Sequence, residues 1–424
     1  MPEEQYLSLE QLCVGLYIYL DLKWMEHPFA FSHFRIKSDD QIKTIRGLGL
    51  TRVRYSPELS EGVQPLAASG APVPKEVPVA LEQSPEMIAK RALREQNLQR
   101  QAAAQMVEKA FVSTAQAIRG IEKTLYSKPA ESVQQATKLI TQITDSILSV
   151  PEIALHVMGD KMGGEELYFH SLNVTMLSMI VARDLKLPVE VAGVLGMGAL
   201  MHDIGHKDVP DKIRLKSGPL NPAERNFYEM HCEYGVKTGQ HLHLAPAALA
   251  IIREHHELYD GTGYPAKRKG EAIGLLSRIV VIANYYDELC NPPQIEDALT
   301  PYEALSLMFS KLSGKFDPKL LQIFIRCLGV YPPGTIVKLS NGALGMVATV
   351  NTARPMKPTV AVYEAGVPKE EAMLLDLEQE SELSIVAAIR PAQVPLEVYN
   401  QLSPRKRVSY YAAAAPAKAG GAKR

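Results

Sequence analysis

Between positions 130 and 330 the apolar residues return every three or four places, whereas on either side of that stretch they alternate or thin out. The first pattern is that of helices burying one stripe, and alternation is that of strands burying one face. The periodic segments predict helices over 133–148, 165–185, 189–201, 222–242, 245–257, 276–289, 301–312 and 318–327, with Pro and Gly in the loops between them. Several packed helices of this kind make an all-α domain. Ahead of it, 14–20 and 51–55 read as strands, and 38–47 as a short helix with Ser38 or Asp39 as N-cap and a glycine as its stop. After position 329 the pattern turns to strands over 335–339 and 343–350, joined by the turn Ser340-Asn341-Gly342, with further strand character at 359–363 and near Leu374.

The predicted architecture is therefore multidomain and mainly α. A small α+β domain spans 1–62, and a Pro/Ala-rich linker spans 63–85. A long polar connecting helix runs over 86–128. Its sparse apolar positions, Met106, Ala110, Phe111, Ala117 and Ile118, mark a spacer packed on one face, with a signalling or dimerising helix as the alternative. The all-α domain covers 129–330, a small β subdomain expected to pack on it covers 331–392, and a tail covers 393–424. From Ala412 onward the Ala/Gly/Lys-rich sequence is expected to be disordered.

Composition narrows the partners. Lys and Arg number 46 against 47 Asp and Glu, so overall charge gives no reason to expect DNA or an anionic membrane. The four cysteines, Cys13, Cys232, Cys290 and Cys327, form no CxxC pair and suit a reducing compartment. The start of the chain is acidic and polar, unlike a signal peptide, and no apolar run approaches the ~20 residues that span a bilayer. A cytoplasmic location is the expectation.

The candidate chemistry lies in the histidines. Eight of the eleven fall between positions 170 and 256. His202-Asp203-Ile204-Gly205 closes a predicted helix, His231 lies within another, and His255-His256-Glu257 ends a third, with Asp260-Gly261-Thr262-Gly263-Tyr264-Pro265 following. Imidazole nitrogen and carboxylate oxygen are the donors preferred by borderline divalent metals, and one aspartate can bridge two ions. Glu166 and His170 share a face of the preceding helix. His241 and His243 read as structural, and His27, His33 and His156 have no companions. The clustering points to a metal-dependent phosphoester hydrolase with two or more ions.

Over roughly 130–330 the ordered motifs His202-Asp203-Ile204-Gly205, Val209-Pro210-Asp211, His231 and 255–265 resemble the HD-GYP family, bacterial cyclic di-GMP phosphodiesterases within the HD phosphohydrolases. The 1–62 region resembles, more weakly, an accessory domain placed before this catalytic unit. The resemblance implies an HD-type helical catalytic domain. It implies that His170, His202 and Asp203 hold one ion, that Asp203 bridges to a second held by His231, His255 and His256, and that Glu166 serves a third where one exists. The ions would be iron or manganese. It also places Gly263 and Tyr264 at substrate phosphate.

Three departures matter. His206 occupies the position of the family's phosphate-contacting lysine, with Lys207 next to it, so both join Asp203 as catalytic candidates. Asn284 stands at an aspartate ligand position, an amide oxygen without charge, with Asp287 and Glu288 close behind it; Asp287 is also assigned to substrate. The arginine-proline-tyrosine element is replaced by Asn291-Pro292-Pro293-Gln294, so guanine recognition is expected to differ. The expected reaction is hydrolysis of cyclic di-GMP to pGpG, and onward to GMP as an extension, by solvent activated at a bridged metal centre. A dinucleotide- or metal-binding signalling receptor with little turnover is the alternative, and an HD phosphohydrolase for another nucleotide is a third reading. A signalling protein and a second copy of the chain are the partners left open.

Overall fold

The computed structural model describes residues 5–22, 27–29, 32–60, 95, 109–148, 153–158, 166–216, 218–292, 294, 297–350, 354–365, 372–380, 382–402 and 409–414. The chain divides into two compact units, Met1–Gln99 and Arg100–Arg424.

The first unit is a four-stranded antiparallel sheet in the order β1-β4-β2-β3, with β1 at Gln5–Ser8, β2 at Tyr17–Tyr19, β3 at His33–Arg35 and β4 at Arg52–Ser56. Leu7 pairs with Val53, and both point into a core shared with Leu16, Ile18, Ile42 and Ile45. The last two come from α1, Asp39–Arg46, whose N-cap Ser38 accepts from the Gln41 amide. The alternating positions of β2 and β4 and the cap of α1 are the features visible in the sequence. β1 and β3 are too short to alternate recognisably.

The second unit holds the helices. A helix over 109–124, here α2, is followed by α3 (Pro129–Leu148), α4 (Glu166–Asp184), α5 (Val189–Leu200) and a 3₁₀ turn at Ile204–Asp208. Then come α6 (Asp211–Arg214), α7 (Pro222–Glu229), α8 (His231–His241), α9 (Pro246–Glu254), α10 (Leu275–Cys290), α11 (Pro301–Ser310) and α12 (Pro318–Leu328). Phe111, Ala115, Ile118, Ile121 and Leu125 of the α2 region are buried in the same core as α3, α4, α5, α9, α10 and α12. The helix thus packs one face against the helical core. Ala110 and Ala117, expected on the packed face, are exposed; Ala115 and Ile121 take that role. Met106 lies outside the described residues.

Two helices fix the site. α5 is nearly all apolar, and Gly198 lets it approach α9 so closely that an added Cβ would sit 2.5 Å from Ile251 Cδ1. This contact carries the end of α5, with His202 and Asp203, against the end of α9, with His255. α10 is the central helix: Ile279, Val280, Ile282, Ala283 and Tyr286 are all buried. Each buried aliphatic side chain contributes about 1.5–3 kcal/mol. The polar side chains drawn in with them, Asn284 and Asp287, must find partners or a ligand.

The expected helix over 222–242 breaks at Met230 into α7 and α8. His231 therefore opens a helix instead of lying within one, and its Nδ1 donates to the Tyr228 carbonyl across the break. His255 caps α9 rather than continuing it.

The β subdomain is an antiparallel sheet in the order β10-β6-β7-β8-β9, comprising β6 (Ile336–Leu339), β7 (Leu344–Thr349), β8 (Thr359–Val362), β9 (Leu374–Asp376) and β10 (Ile385–Ile389). Its β6–β7 hairpin turns at Gly342, whose φ of 87° suits glycine. The tail is more structured than expected. α13 (Leu396–Leu402) buries Val398 and Leu402 against Ile336. β11 (Ser409–Ala414) pairs antiparallel with β5 (Ile153–Met158), so Ala412 to Ala414 are strand. An alanine run lacks apolar periodicity, yet its backbone groups still pair when an edge is offered. Among the described residues no helix is long and apolar enough to cross a membrane.

Candidate metal centre

Asp203 sits where α5 gives way to the 204–208 turn, and its two oxygens face different neighbours. Oδ2 lies 3.4 Å from His202 Nε2 and 3.6 Å from His170 Nε2. Oδ1 lies 3.4 Å from His255 Nε2, 3.7 Å from His231 Nε2 and 3.4 Å from His206 Nε2. Two ligand groups result, His170–His202–Asp203 and Asp203–His231–His255–His256, in each of which the donor atoms lie within 4.8 Å of one another. Asp203 belongs to both.

The hydrogen bonds behind the imidazoles decide what those nitrogens present. His202 Nδ1 donates to Ala199 O at 2.7 Å, His231 Nδ1 to Tyr228 O at 2.7 Å, and His255 Nδ1 to Ile252 O at 2.8 Å. A carbonyl can only accept, so in the neutral rings the proton is on Nδ1 and Nε2 carries a lone pair. His170 Nδ1 donates to Asp287 Oδ2 at 2.6 Å. The Nε2 atoms of His170 and His202 face each other at 3.2 Å, and those of His231 and His255 at 3.1 Å. The facing lone pairs of His231 and His255 at that distance need a positive charge between them. Asp203 Oδ1 is buried without a hydrogen-bond partner. The donor set therefore fits divalent metal.

Electrostatics agree. Burial, reinforced by His206 and His255, pushes His231 down to about 3. Burial also lowers His255, and lowers His256 strongly. Burial opposes ionisation of Asp203, but His202 and His206 hold its carboxyl well below the usual range. His170 differs: burial would lower it, yet the bond to Asp287 lifts it to about 9.

Around this cluster His206 stacks on His231 at 4.0 Å, and Tyr264 stacks on His256 at 4.5 Å. The Tyr264 loop is built on Glu257, a buried carboxylate that accepts from Ala266 N at 2.6 Å and Arg268 N at 2.8 Å. At Gly263 an added Cβ would overlap the Leu258 nitrogen and the His256 carbonyl, and at Gly205 it would overlap the His231 carbonyl and the Gly235 nitrogen. Both positions require glycine because backbones meet there.

Residues 164–320 match the HD domain family, 5–136 match a domain of unknown function, and 336–396 match a KOW domain associated with the HD domain. A cyclic di-GMP phosphodiesterase of Pseudomonas aeruginosa is 27% identical over 398 residues, covering 91% of this chain and 92% of that protein. A cyclic di-GMP phosphodiesterase response regulator of Xanthomonas campestris pv. campestris is 35% identical over 150 residues, 35% of this chain and 39% of that protein. A 3′3′-cGAMP-specific phosphodiesterase of Vibrio cholerae is 29% identical over 183 residues, 43% of this chain and 42% of that protein. Residues 164–320 are an HD domain, and these relatives support its HD-GYP character.

Against the HD-GYP expectations, the structure brings His170, His202, Asp203, His231, His255 and His256 together, with His206 and Tyr264 packed on them. It does not bring Lys207: its Nζ donates to the Glu122 carbonyl at 2.6 Å and lies over the Tyr126 ring, tied to the α2 region. Asp287 is not at a substrate surface either. It is fully buried and accepts from His170, Asn173 (2.7 Å) and Asn291 (2.9 Å), so its place is behind His170. Asn284 is buried, donates Nδ2–H to Glu288 Oε1 at 2.9 Å, and keeps an Oδ1 without a partner. The side chain of Glu166 lies outside the described residues. Glu257 and Tyr228 were not singled out. Glu257 was legible as a carboxylate locked next to two histidines, whereas Tyr228 carries no sequence signal beyond its spacing from His231.

Proposed function

We propose that this HD-GYP protein is a metal-dependent phosphodiesterase that hydrolyses the 3′–5′ phosphodiester of cyclic di-GMP to pGpG, and onward to GMP. One observation supports it most: two groups of Nε2 lone pairs, fixed by their Nδ1–H bonds, converge on the two oxygens of Asp203. His170, His202 and Asp203 would hold one ion, and Asp203, His231, His255 and His256 a second. Bound there, divalent ions such as manganese or iron acidify water and neutralise phosphoryl charge. Asp287 keeps His170 turned toward the cluster, and the backbone carbonyls of Ala199, Tyr228 and Ile252 do the same for the other rings. His206, with a buried Nδ1 that has no partner, is the side chain next to Asp203 that can exchange a proton with a phosphate oxygen. The similarity to phosphodiesterases for cyclic di-GMP supports the substrate.

A second reading is favoured by the placement of Lys207 and the uncharged Asn284: a receptor that binds the dinucleotide and turns it over slowly. Incubating full-length protein loaded with Mn²⁺ or Fe²⁺ with cyclic di-GMP and 3′3′-cGAMP, and separating products by chromatography, tests both. Accumulation of pGpG over many turnovers supports the enzyme; stoichiometric binding with neither dinucleotide cleaved would refute it.

A further inference from the structure

Tyr228 lends its carbonyl to His231, but its side chain has a second placement to account for. The ring lies 5.0 Å from that of His206 and 5.5 Å from that of His231, crossing the latter at 64°. The Tyr264 ring lies 6.2 Å from the same His231 ring at 82° while stacking on His256. Two phenols, one from α7 and one from the loop after α9, thus meet the imidazole cluster around a single ring. Both tyrosines are partly exposed. Among the described residues neither hydroxyl has a hydrogen-bond partner, and neither is a buried orphan.

Packing on an imidazole needs only the ring, and phenylalanine would supply it. Phenol hydroxyls at half-buried positions usually find a partner. Here both are left open on rings packed against the imidazoles that surround Asp203, while Lys207 is tied to the Glu122 carbonyl. A phenol ordinarily ionises near pH ~10, so both hydroxyls are neutral O–H donors at neutral pH. What such donors lack is an acceptor, and phosphate oxygen is the one that metal-dependent phosphodiester chemistry brings there.

We infer that Tyr228, beside the Tyr264 that the HD-GYP resemblance already places at substrate phosphate, donates a second phenol hydrogen bond to the non-bridging oxygens of the phosphodiester at the metal centre. This rests on the proposed phosphodiesterase reading, and Tyr228 becomes a substrate-contacting residue.

The test uses full-length Mn²⁺-loaded protein with Tyr228→Phe and Tyr264→Phe, each checked for bound metal. Calorimetry with inorganic phosphate should show affinity weakened roughly 10- to 100-fold in Tyr228→Phe, the range for a hydrogen bond to a charged acceptor. The value of kcat/KM on cyclic di-GMP should fall by a similar factor with metal content unchanged. Phosphate affinity within about twofold of wild type overturns the pair. So does loss of metal from the Phe variant, since the hydroxyl would then serve the imidazoles. Phosphate binding weakened in Tyr228→Phe, with wild type itself unable to cleave cyclic di-GMP, upholds the pair and sinks the substrate reading alone.

Discussion

His170 Nδ1 donates to Asp287 Oδ2 at 2.6 Å, joining α4 to α10 across the helical domain. Asn173 and Asn291 complete the shell of the same carboxylate. A ligand histidine gains basicity and a fixed orientation from such a partner. Asp287→Asn should weaken metal at the His170–His202–Asp203 group about 10- to 100-fold, with the other group retained. Competition with a chelator of known affinity measures this, and equal retention of every ion by variant and wild type would contradict it.

Lys207 and His206 are adjacent and should behave differently. Lys207 is bonded to Glu122 O and His206 is stacked on His231. Lys207→Ala should leave kcat/KM within about twofold, as for a side chain outside the site. His206→Ala should lower it roughly 10-fold or more, as for loss of a charge-assisted hydrogen bond. Steady-state kinetics with product chromatography distinguishes the two, and the reverse ranking would mean that Lys207 leaves its tether to reach substrate.

Gly205 marks the backbone contact between the 204–208 turn and α8. An added methyl there meets the His231 carbonyl and the Gly235 nitrogen, neither of which can move aside without shifting a ligand. Gly205→Ala should destabilise the fold by about 4 kcal/mol or more, or prevent soluble expression. Urea unfolding monitored by circular dichroism gives the value, and a variant as stable as wild type would show that the turn can relax.

Glu257 anchors the Tyr264 loop through two backbone amides. In Glu257→Gln one amide faces an NH₂ instead of an oxygen, which costs about 1–3 kcal/mol. Stability should fall by that amount, and KM should rise more than kcat falls, because the loop and not the cluster is disturbed.

Most of the helical domain could be read from the sequence because its helices bury a full stripe, and the gathering of the histidines around Asp203 could be read because few histidines cluster without a reason. Other features needed the fold. The break at Met230 interrupts no apolar period. Asp287 looked available because burial of a polar residue inside an apolar helix such as α10 cannot be told from its neighbours alone. Lys207 looked catalytic because nothing in the sequence indicates that the α2 region packs beside the 204–208 turn. β11 pairs through backbone groups, which composition does not register.

The central claim is that Asp203 is shared between two cation sites, and a metal count on Asp203→Ala beside wild type, by plasma mass spectrometry on protein purified without chelator, tests it most directly. Two or more divalent ions per chain in wild type, with loss from both groups in the variant, is the predicted result. A variant that keeps the wild-type count, or a wild type that never holds more than one ion, would contradict it.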